Sequence, residues 1–450
     1  MSPVSMTCSE KSKRALVIAY DFPPRRTSGV YRTTNLTKHL FRLGWQVTVL
    51  TVEQRAGDIE DATLLAGFPP EIRIERTKDA NISGWENRAA AGIRAKGGLK
   101  SHAKDIRQPL RDRWVRSMGD FVRSCLYFPD DTVGWVPRTF ARAAELHLQC
   151  NFDLVYTTSP PRSAPVVGLL LKMFFGIPWV AEFRDPWYPR PRPIRRRAER
   201  WLLGCILCRA DRVVLISKAH ASELDSSYGV PANKLAVVSN GYEENDFDQA
   251  DGRPCDFLPG EYFHFSHFGT VYPGFSGRFF DALADLLREC PELREKFRVN
   301  IIGFPDDVVR EHAAGGSLEG VLKLHSFVSH DVALQAMRAS DCLLVLLGKR
   351  DVARLSGLGK IYDYLRVGRP VLAVANEGGT AELVREGQAG WVVDPEDKEG
   401  IKQTLRRILD EGRQSEPPRP FRPEFVEQFR YDRLAEKLGS IFESVLGHGA

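Results

Sequence analysis

Short apolar segments alternate with amphipathic helical segments along most of this 450-residue chain. The first example is an apolar segment at 14–19, a helical segment at roughly 30–43 and a second apolar segment at 46–51. Two strands joined by one helix run parallel, because the helix returns the chain to the edge of the sheet from which it started. The alternation returns at about 152–238 and again at 264–374, which predicts two doubly wound α/β domains in tandem.

Length and composition agree with this division. At 450 residues, with 43% hydrophobic and 27% charged residues, the chain is typical of a two-domain soluble protein. We expect a Rossmann-like N-terminal domain over 14–242, with a basic helical insertion at about 86–126. A polar linker at 243–260 then leads to a second Rossmann-like domain over 261–420. Two such sheets are expected to face each other across a cleft, with ligands at the carboxyl ends of the strands.

Charge and hydropathy argue against a nucleic-acid partner and against a membrane span. The net charge of +5 is too small to indicate nucleic-acid binding. The polar segment 1–14 lacks the apolar region of a signal peptide. Pro165, Gly176 and Pro178 divide the longest apolar run into a strand and a helix of about 12 residues, which is about 18 Å long and too short for a bilayer. We therefore expect a cytoplasmic protein, with or without peripheral association at the inner face of the cytoplasmic membrane.

Motifs of several other enzyme classes are absent from the sequence. No GxGxxG follows the first strand, which argues against NAD or FAD. The chain also lacks HExxH, a DxD between a strand and a helix, GxxxxGK[ST] and GxSxG. The sequence therefore predicts neither a metal nor a resident cofactor.

The segment from Ser356 to Asp363 is the most informative about chemistry. Ser356, Gly357 and Gly359 allow the backbone to approach a bulky ligand, and a helix begins directly afterwards. Helix N-terminal amides with Lys360 beside them form a site for phosphate. Asp363, one turn further on, is placed to accept hydrogen bonds from ribose hydroxyls. The pattern favours a nucleotide-sugar site, and the alternative is a helix–strand unit whose glycines only serve a turn.

Other strand ends of the second half are expected to complete this donor pocket. Gly269 and Thr270 end one predicted strand, and Gly303 ends the next. Backbone near Phe327 is expected to contact the edge of the nucleobase.

Strand ends of the first half suggest an acceptor site. Gly29 follows the first strand and either lets an acceptor approach the backbone or serves a helix-capping loop. Arg184 and Asp185 end another predicted strand and are expected to contact the acceptor. Asp185 would act as a general base or orient an acceptor hydroxyl, and the alternative is an internal Arg–Asp pair. An arginine cluster that includes Arg195 and Arg196 suits a lipid-linked pyrophosphate or anionic headgroups. The alternative for this cluster is a solvated helix face.

With these residues in place, the chain resembles the GT-B glycosyltransferases of the family-4 type, also called glycosyltransferase group 1. The resemblance covers roughly 14–445 and depends on the order and spacing of short matches rather than on any one of them. These matches lie at 20–24 with Gly29, 46–51, 152–161, 177–187, 210–217, 239–242, 269–272, 339–342 and 360–370.

The resemblance implies a UDP- or GDP-linked sugar donor in the C-terminal domain and a glycan or polyprenyl-pyrophosphate-linked acceptor in the N-terminal domain. It implies hexosyl transfer that retains anomeric configuration, needs no metal and serves cell-surface polysaccharide or glycoconjugate synthesis. Asp185 and Lys360 are then the expected catalytic residues. A last helix, within 421–450, is expected to pack back toward the N-terminal domain.

The sequence departs from the family pattern at two positions. Family members often carry two glutamates separated by seven residues, whereas here Asp363 takes the second position and Leu355 the first. Many members also have a histidine where this chain has Arg184. These departures keep two alternatives open, a non-catalytic relative that acts as a binding or assembly subunit and a nucleotide-sugar epimerase that converts the donor alone.

Overall fold

A computed structural model gives the fold as two compact units, each built on one parallel sheet. The structure describes residues 12–27, 29–55, 58, 60–65, 67–80, 127–188, 193–250, 255, 257–271, 274–348, 359–412 and 422–447. The first unit comprises the described residues of Met1–Leu215, Leu224–Ala236 and Glu436–Ala450, and the second those of Ile216–Glu223 and Val237–Ala435.

The sheet of the first unit has seven strands in the order β3-β2-β1-β4-β5-β6-β7. The strands are β1 (Arg14–Ala19), β2 (Gln46–Val52), β3 (Arg73–Thr77), β4 (Leu154–Ser159), β5 (Trp179–Phe183), β6 (Arg212–Leu215) and β7 (Leu235–Val237). The helices of this half are α1 (Val30–Arg42), α2 (Val136–Cys150), α3 (Ser163–Phe175), α4 (Pro193–Arg209) and α5 (Lys218–Tyr228).

The sheet of the second unit has six strands in the order β10-β9-β8-β11-β12-β13. The strands are β8 (Phe263–Thr270), β9 (Phe297–Phe304), β10 (Leu322–His325), β11 (Cys342–Leu346), β12 (Val371–Val374) and β13 (Gly390–Val393). The helices are α6 (Glu244–Ala250), α7 (Arg278–Glu289), α8 (Asp307–Ala314), α9 (His330–Ala339), α10 (Gly359–Val367), α11 (Gly379–Glu386), α12 (Lys398–Glu411), α13 (Pro423–Glu427) and α14 (Tyr431–Gly447).

Both sheets therefore have the doubly wound order that the alternating pattern predicts, and the predicted fold class of two Rossmann-like domains is confirmed. Parallel registers such as Ala15 opposite both Val47 and Leu154 place the carboxyl ends of neighbouring strands on one edge. The winding reverses between β1 and β4 and between β8 and β11. Ligands of such sheets bind outside the carboxyl ends of strands at these reversals.

The strands read as continuous apolar runs because helices cover both faces of each sheet. In β1, every residue after Arg14 is buried, and α7 buries an apolar face that includes Phe279 and Phe280 against the second sheet. No helix in the described parts of the chain is both long and apolar enough to cross a bilayer.

Part of the predicted linker at 243–260 is helical. Helix α6 lies within it, and Phe247 is buried with its ring 5.7 Å from that of Tyr242. Glu244 pairs with Arg366 of α10, so this segment is part of the second unit rather than a bare connection. The basic insertion predicted at about 86–126 lies outside the described residues.

From Glu436 onward, the last helix, α14, belongs to the first unit. Phe442 is fully buried there, with its ring centroid 5.3 Å from that of Trp45 and 5.4 Å from that of Tyr156. The end of the chain therefore fills part of the core beside β2 and β4.

We expect Phe442→Ala to lower the unfolding free energy of the first unit by roughly 3–5 kcal/mol, because it removes a buried ring and leaves a cavity. Tryptophan fluorescence during urea unfolding measures this, since seven of the eight tryptophans precede residue 243. Leu148→Ala is the control, because Leu148 is 74% exposed and its loss should change stability by less than about 0.5 kcal/mol. Equal stability of the two variants would contradict the assignment of α14 to this core.

Candidate functional site

Lys360 joins the start of α10 to the carboxyl end of β8. Its Nζ donates hydrogen bonds to the carbonyl oxygen of Phe268 at 2.7 Å and to Nε2 of His267 at 2.8 Å. Burial lowers the pKa of Lys360 to about 7. An ammonium group has three N–H donors, and the carbonyl and the imidazole are its two acceptors among the described residues, so one N–H is left for a ligand at the edge where Gly269 and Thr270 end the strand.

His267 is the partner that sequence reasoning missed. It is fully buried, and burial together with the adjacent Lys360 charge keeps its pKa well below the usual range. The ring is therefore neutral and Nε2 accepts the lysine hydrogen bond. The sequence does show a histidine inside a strand that ends in Gly269-Thr270. No sequence pattern, however, distinguishes a buried histidine in a binding site from one that only packs in the core.

Asp363 lies one turn beyond Lys360 and is only 8% exposed. Its Oδ1 is buried and has no hydrogen-bond partner in the described parts of the chain. Burial raises the pKa of Asp363 to about 7, with His330 opposing this shift and Asp246 adding to it. An unsatisfied buried carboxyl oxygen is costly by about 1–3 kcal/mol, so a ligand hydroxyl at this position would be stabilised.

The predicted strand-end glycines of the second unit lie side by side. Gly269 of β8 is in register with Gly303 of β9, and their φ angles are +91° and +133°. A Cβ on Gly303 would approach the carbonyl oxygen of Gly269 to 2.6 Å. Only glycine therefore fits at Gly303, where the ends of β8 and β9 come into close backbone contact.

Phe327 lies at the same edge, after β10, and is 41% exposed. Its ring centroid is 5.5 Å from that of Phe304, which follows Gly303 and is 53% exposed. Phe304 was not predicted, although the sequence shows an aromatic residue directly after the predicted strand-end glycine. The two rings form an aromatic surface beside the glycine edge.

Two of the predicted donor residues, Ser356 and Gly357, fall outside the described residues. Leu355, which departs from the family pattern, also falls outside them. Gly359 begins α10, and a Cβ added there would meet no atom within 4 Å. Nothing in the described parts of the chain therefore requires glycine at this position.

In the first unit, Arg184 connects the ends of β4 and β5 to the start of α1. Its backbone N–H donates to the carbonyl oxygen of Ser159 at 2.8 Å, and its Nη2 donates to that of Pro160 at 2.6 Å. A Cβ on Gly29 would collide with its guanidinium, so the glycine makes room for the arginine. The predicted residues Gly29 and Arg184 are thus brought together at the start of α1, whose first turn carries no acidic residue.

Asp185 follows Arg184 and remains partly exposed. Partial burial raises the pKa of its carboxyl, and the Arg184 charge opposes that shift. Within the described residues, the Arg184 guanidinium donates to the carbonyl oxygen of Pro160, and its charge acts on Asp185 without a salt-bridge contact.

Arg195 is buried, unlike its exposed neighbour Arg196. Its Nε donates to Oε1 of Glu199 at 2.8 Å, and its Nη2 donates to the carbonyl oxygens of Tyr127 and Pro129. Our expectation that Arg195 contacts an acceptor therefore needs correction, because its guanidinium is used inside the unit. The helical period turns residue 195 toward the sheet and residue 196 toward solvent.

We expect Gly303→Ala to lower the unfolding free energy of the second unit by about 1–3 kcal/mol, because the new Cβ meets a backbone oxygen at a positive φ. Gly359→Ala is the matched control within the same candidate site and should stay within about 0.5 kcal/mol of the wild type. Urea unfolding followed by circular dichroism distinguishes them. A neutral Gly303→Ala would mean that the two strand ends are further apart than described.

Family models match both units. Residues 29–241 match the glycosyl transferase 4-like domain, and residues 271–411 match glycosyl transferases group 1. The chain belongs to this glycosyltransferase family, as the resemblance in its sequence predicted.

Curated relatives cover only part of the chain. A D-inositol 3-phosphate glycosyltransferase of Streptomyces avermitilis is 26% identical over 261 residues, which is 54% of this chain and 53% of that protein. The chain thus matches about half the length of the curated relatives.

Solved structures match nearly the whole chain in fold. A glycosyltransferase from Rickettsia africae has a TM-score of 0.65 at 16% identity, covering 97% of this chain and 99% of that one. HepE of Anabaena, solved in complex with UDP, has a TM-score of 0.64 at 17% identity, covering 96% of this chain and 100% of that one. At these identities the likeness shows the GT-B fold.

Proposed function

We propose that this protein transfers a sugar from a UDP- or GDP-linked donor to a glycan or lipid-linked acceptor. The observation that carries this proposal is the placement of Lys360 and Asp363 one turn apart on α10, at the carboxyl end of β8. A cation with a spare N–H and a carboxyl oxygen without a partner match a diphosphate next to a ribose. Membership of the glycosyltransferase family supports the same ligand.

In the proposed reaction, the bond between the anomeric carbon and the terminal phosphate oxygen breaks, and a bond to an acceptor hydroxyl oxygen forms. The hydroxyl proton is released, and the nucleoside diphosphate leaves with an additional negative charge. Lys360 and the N-terminal amides of α10 would stabilise that charge. We propose retention of anomeric configuration and transfer without a metal, as the family resemblance implies.

The proposed acceptor carries an anionic group. Arg184 places a guanidinium at the N-terminus of α1, where the helix dipole is also positive. The names of the curated relatives include an inositol phosphate, which supports a phosphate-bearing acceptor here as well. Asp185, at the end of β5, would orient the acceptor hydroxyl or contact the transferred sugar.

A melting-temperature screen with UDP, GDP, ADP and their common sugars tests the donor site. A ligand that binds only the folded protein raises the melting temperature, so one nucleotide class should give a clear shift. Donor turnover that requires an acceptor then supports transfer. Conversion of the donor alone would indicate an epimerase, and binding without any turnover would indicate a non-catalytic subunit.

The charge of Lys360 predicts a pH dependence of nucleotide binding. Its ammonium is lost as the pH rises through about 7, so the dissociation constant should rise from pH 7 to pH 9, by at most about tenfold per unit. Lys360→Arg keeps its charge and should bind with little dependence on pH, while Lys360→Ala should bind weakly throughout and lose turnover. Calorimetric titration measures all three. Near-normal turnover of Lys360→Ala would contradict the assignment.

Helix α4 presents a basic face, which we define as Ile194, Arg196, Arg197, Arg200 and Trp201. All five are exposed, with Ile194 at 72% and Trp201 at 69%. Exposed tryptophan beside arginines is typical of helices that lie on anionic membranes. We propose that this face contacts anionic headgroups while the acceptor is bound.

Arg196→Glu with Arg197→Glu should weaken binding to phosphatidylglycerol vesicles, since each basic residue contributes about 1 kcal/mol near an anionic surface. Vesicle co-sedimentation at low and high salt measures this. Arg406→Glu with Arg407→Glu on α12 is the matched control, because that exposed pair lies in the second unit. Equal binding by both double variants would remove the basic face from the proposal.

A further inference from the structure

The segment 184–188, which we call the acceptor loop, follows β5 and carries Asp185 at the edge of the first sheet. Its first residue, Arg184, is bonded to the end of β4 through its backbone N–H and to the turn after β4 through its guanidinium. The N–H of Tyr188 donates to the carbonyl oxygen of Pro186 at 3.1 Å, so the chain turns directly after Asp185. The position of Asp185 therefore depends on what holds the far end of the acceptor loop.

Arg162 holds that far end. It lies in the turn between β4 and α3, and its Nη2 donates to the carbonyl oxygen of Tyr188 at 2.7 Å. Its guanidinium also lies over the ring of Trp187, 5.1 Å from the ring centroid. Trp187 is only 7% exposed, and its ring centroid is 6.2 Å from that of Phe183, the last residue of β5. One side chain of the neighbouring turn thus contacts both the backbone and a buried ring of the acceptor loop.

Two side chains of α4 fix the direction of the Arg162 guanidinium. Nη1 of Arg162 donates to Oε2 of Glu199 at 3.2 Å, and Nε of Arg195 donates to Oε1 of Glu199 at 2.8 Å. The Glu199 side chain is fully buried, and two cations offset the desolvation of its carboxylate. Arg195 is held in turn by the carbonyl oxygens of Tyr127 and Pro129. Buried ion pairs add little net stability, but planar guanidinium groups allow few alternative geometries.

Asp130 fixes the backbone around Arg162. Oδ2 of this buried carboxylate accepts hydrogen bonds from the backbone N–H groups of Arg162 and Ser163, and Oδ1 accepts one from the Ser163 hydroxyl at 2.6 Å. A carboxylate at a helix N-terminus satisfies N–H groups that lack partners within the helix. The main chain of Arg162 is therefore held as firmly as its side chain.

We propose that Arg162 is a positioning residue that clamps the acceptor loop to the N-terminus of α3, so that Asp185 keeps the position in which it meets the acceptor or the transferred sugar. Glu199 and Arg195 act one step further away, through Arg162. A misplacement of about 1 Å at a reacting group can lower a rate about a hundredfold, so such a clamp would affect turnover. This inference rests on the proposed function, because Asp185 has its role only if a sugar is transferred.

Hydrogen–deuterium exchange of the full chain tests the clamp without any ligand. Arg162→Lys keeps a positive charge beside Glu199. A single ammonium, however, lacks the planar shape with which the guanidinium contacts both Tyr188 and Trp187. We expect the amides of the acceptor loop to exchange about tenfold faster or more in this variant, while strand β1 stays as protected as in the wild type. Glu199→Gln should accelerate exchange of the same loop by a smaller factor.

Turnover shows whether the clamp acts through Asp185. Release of nucleoside diphosphate from UDP-glucose and from GDP-mannose, with water as the acceptor, is compared among the wild type, Arg162→Lys, Asp185→Asn and the double variant. Arg162→Lys should lower kcat by about 10–100-fold and leave the KM for the nucleotide sugar within about twofold, since the candidate donor site lies in the second unit. In the Asp185→Asn background, the same substitution should lower kcat by less than about threefold. A merely structural role would give the same factor in both backgrounds.

Arg142→Lys is the matched control. Nη2 of Arg142 lies 3.0 Å from Oε2 of Glu75, and this ion pair joins α2 to β3 of the same unit. The substitution is chemically identical to Arg162→Lys, and it should leave both exchange of the acceptor loop and turnover unchanged.

Unchanged exchange of the acceptor loop in Arg162→Lys overturns the inference and leaves the proposed function standing. So does an equal loss of protection in β1, or an equal fall in kcat with and without Asp185. A wild type that releases nucleoside diphosphate from neither donor removes the role of Asp185 and the inference with it, whereas the melting-temperature screen decides the donor site separately.

Discussion

Parallel pairing throughout both sheets is the constraint on which the candidate site depends. Parallel strands leave all their carboxyl ends on one edge, and each helix must begin near that edge to return the chain. This brings Gly29 after β1, Pro160 after β4 and Arg184 after β5 into contact in the first unit. In the second, the start of α10 meets the end of β8, and Lys360 bonds to a β8 carbonyl. The strand order of each sheet therefore places residues that are distant in sequence at the same edge.

The sheets could be predicted because helices on both faces make each strand a continuous apolar run, a pattern readable over five or six residues. The segment 243–260 was harder, because it is polar and contains glycine and proline. Its helix α6 depends on burial of Phe247 beneath Arg366, which in turn pairs with Glu244. This stabilisation comes from contacts between residues more than a hundred positions apart in sequence, so no local sequence pattern indicates it.

The same distinction applies to the site. Lys360 and Asp363 could be predicted, because spacing along one helix places both near its start. His267 could not, because the fold brings it to Lys360 from a strand more than ninety residues away in sequence. Arg195 was wrongly grouped with exposed arginines, since composition reveals a basic cluster but not which side of α4 faces the sheet. The sequence therefore identifies site residues that lie close together on one helix and misses their partners on other elements.

Burial affects the two central groups in opposite senses. It lowers the pKa of Lys360 to about 7 and raises that of Asp363 to about 7, so each is only partly charged near neutral pH without a ligand. A diphosphate would stabilise the ammonium, and ribose hydroxyls would stabilise the carboxylate. A nucleotide that provides both would therefore bind more tightly, because it stabilises the charged forms of two groups that are only partly charged without a ligand. A ligand with only one of these features would leave the other group desolvated, and this asymmetry favours an intact nucleoside diphosphate over its fragments.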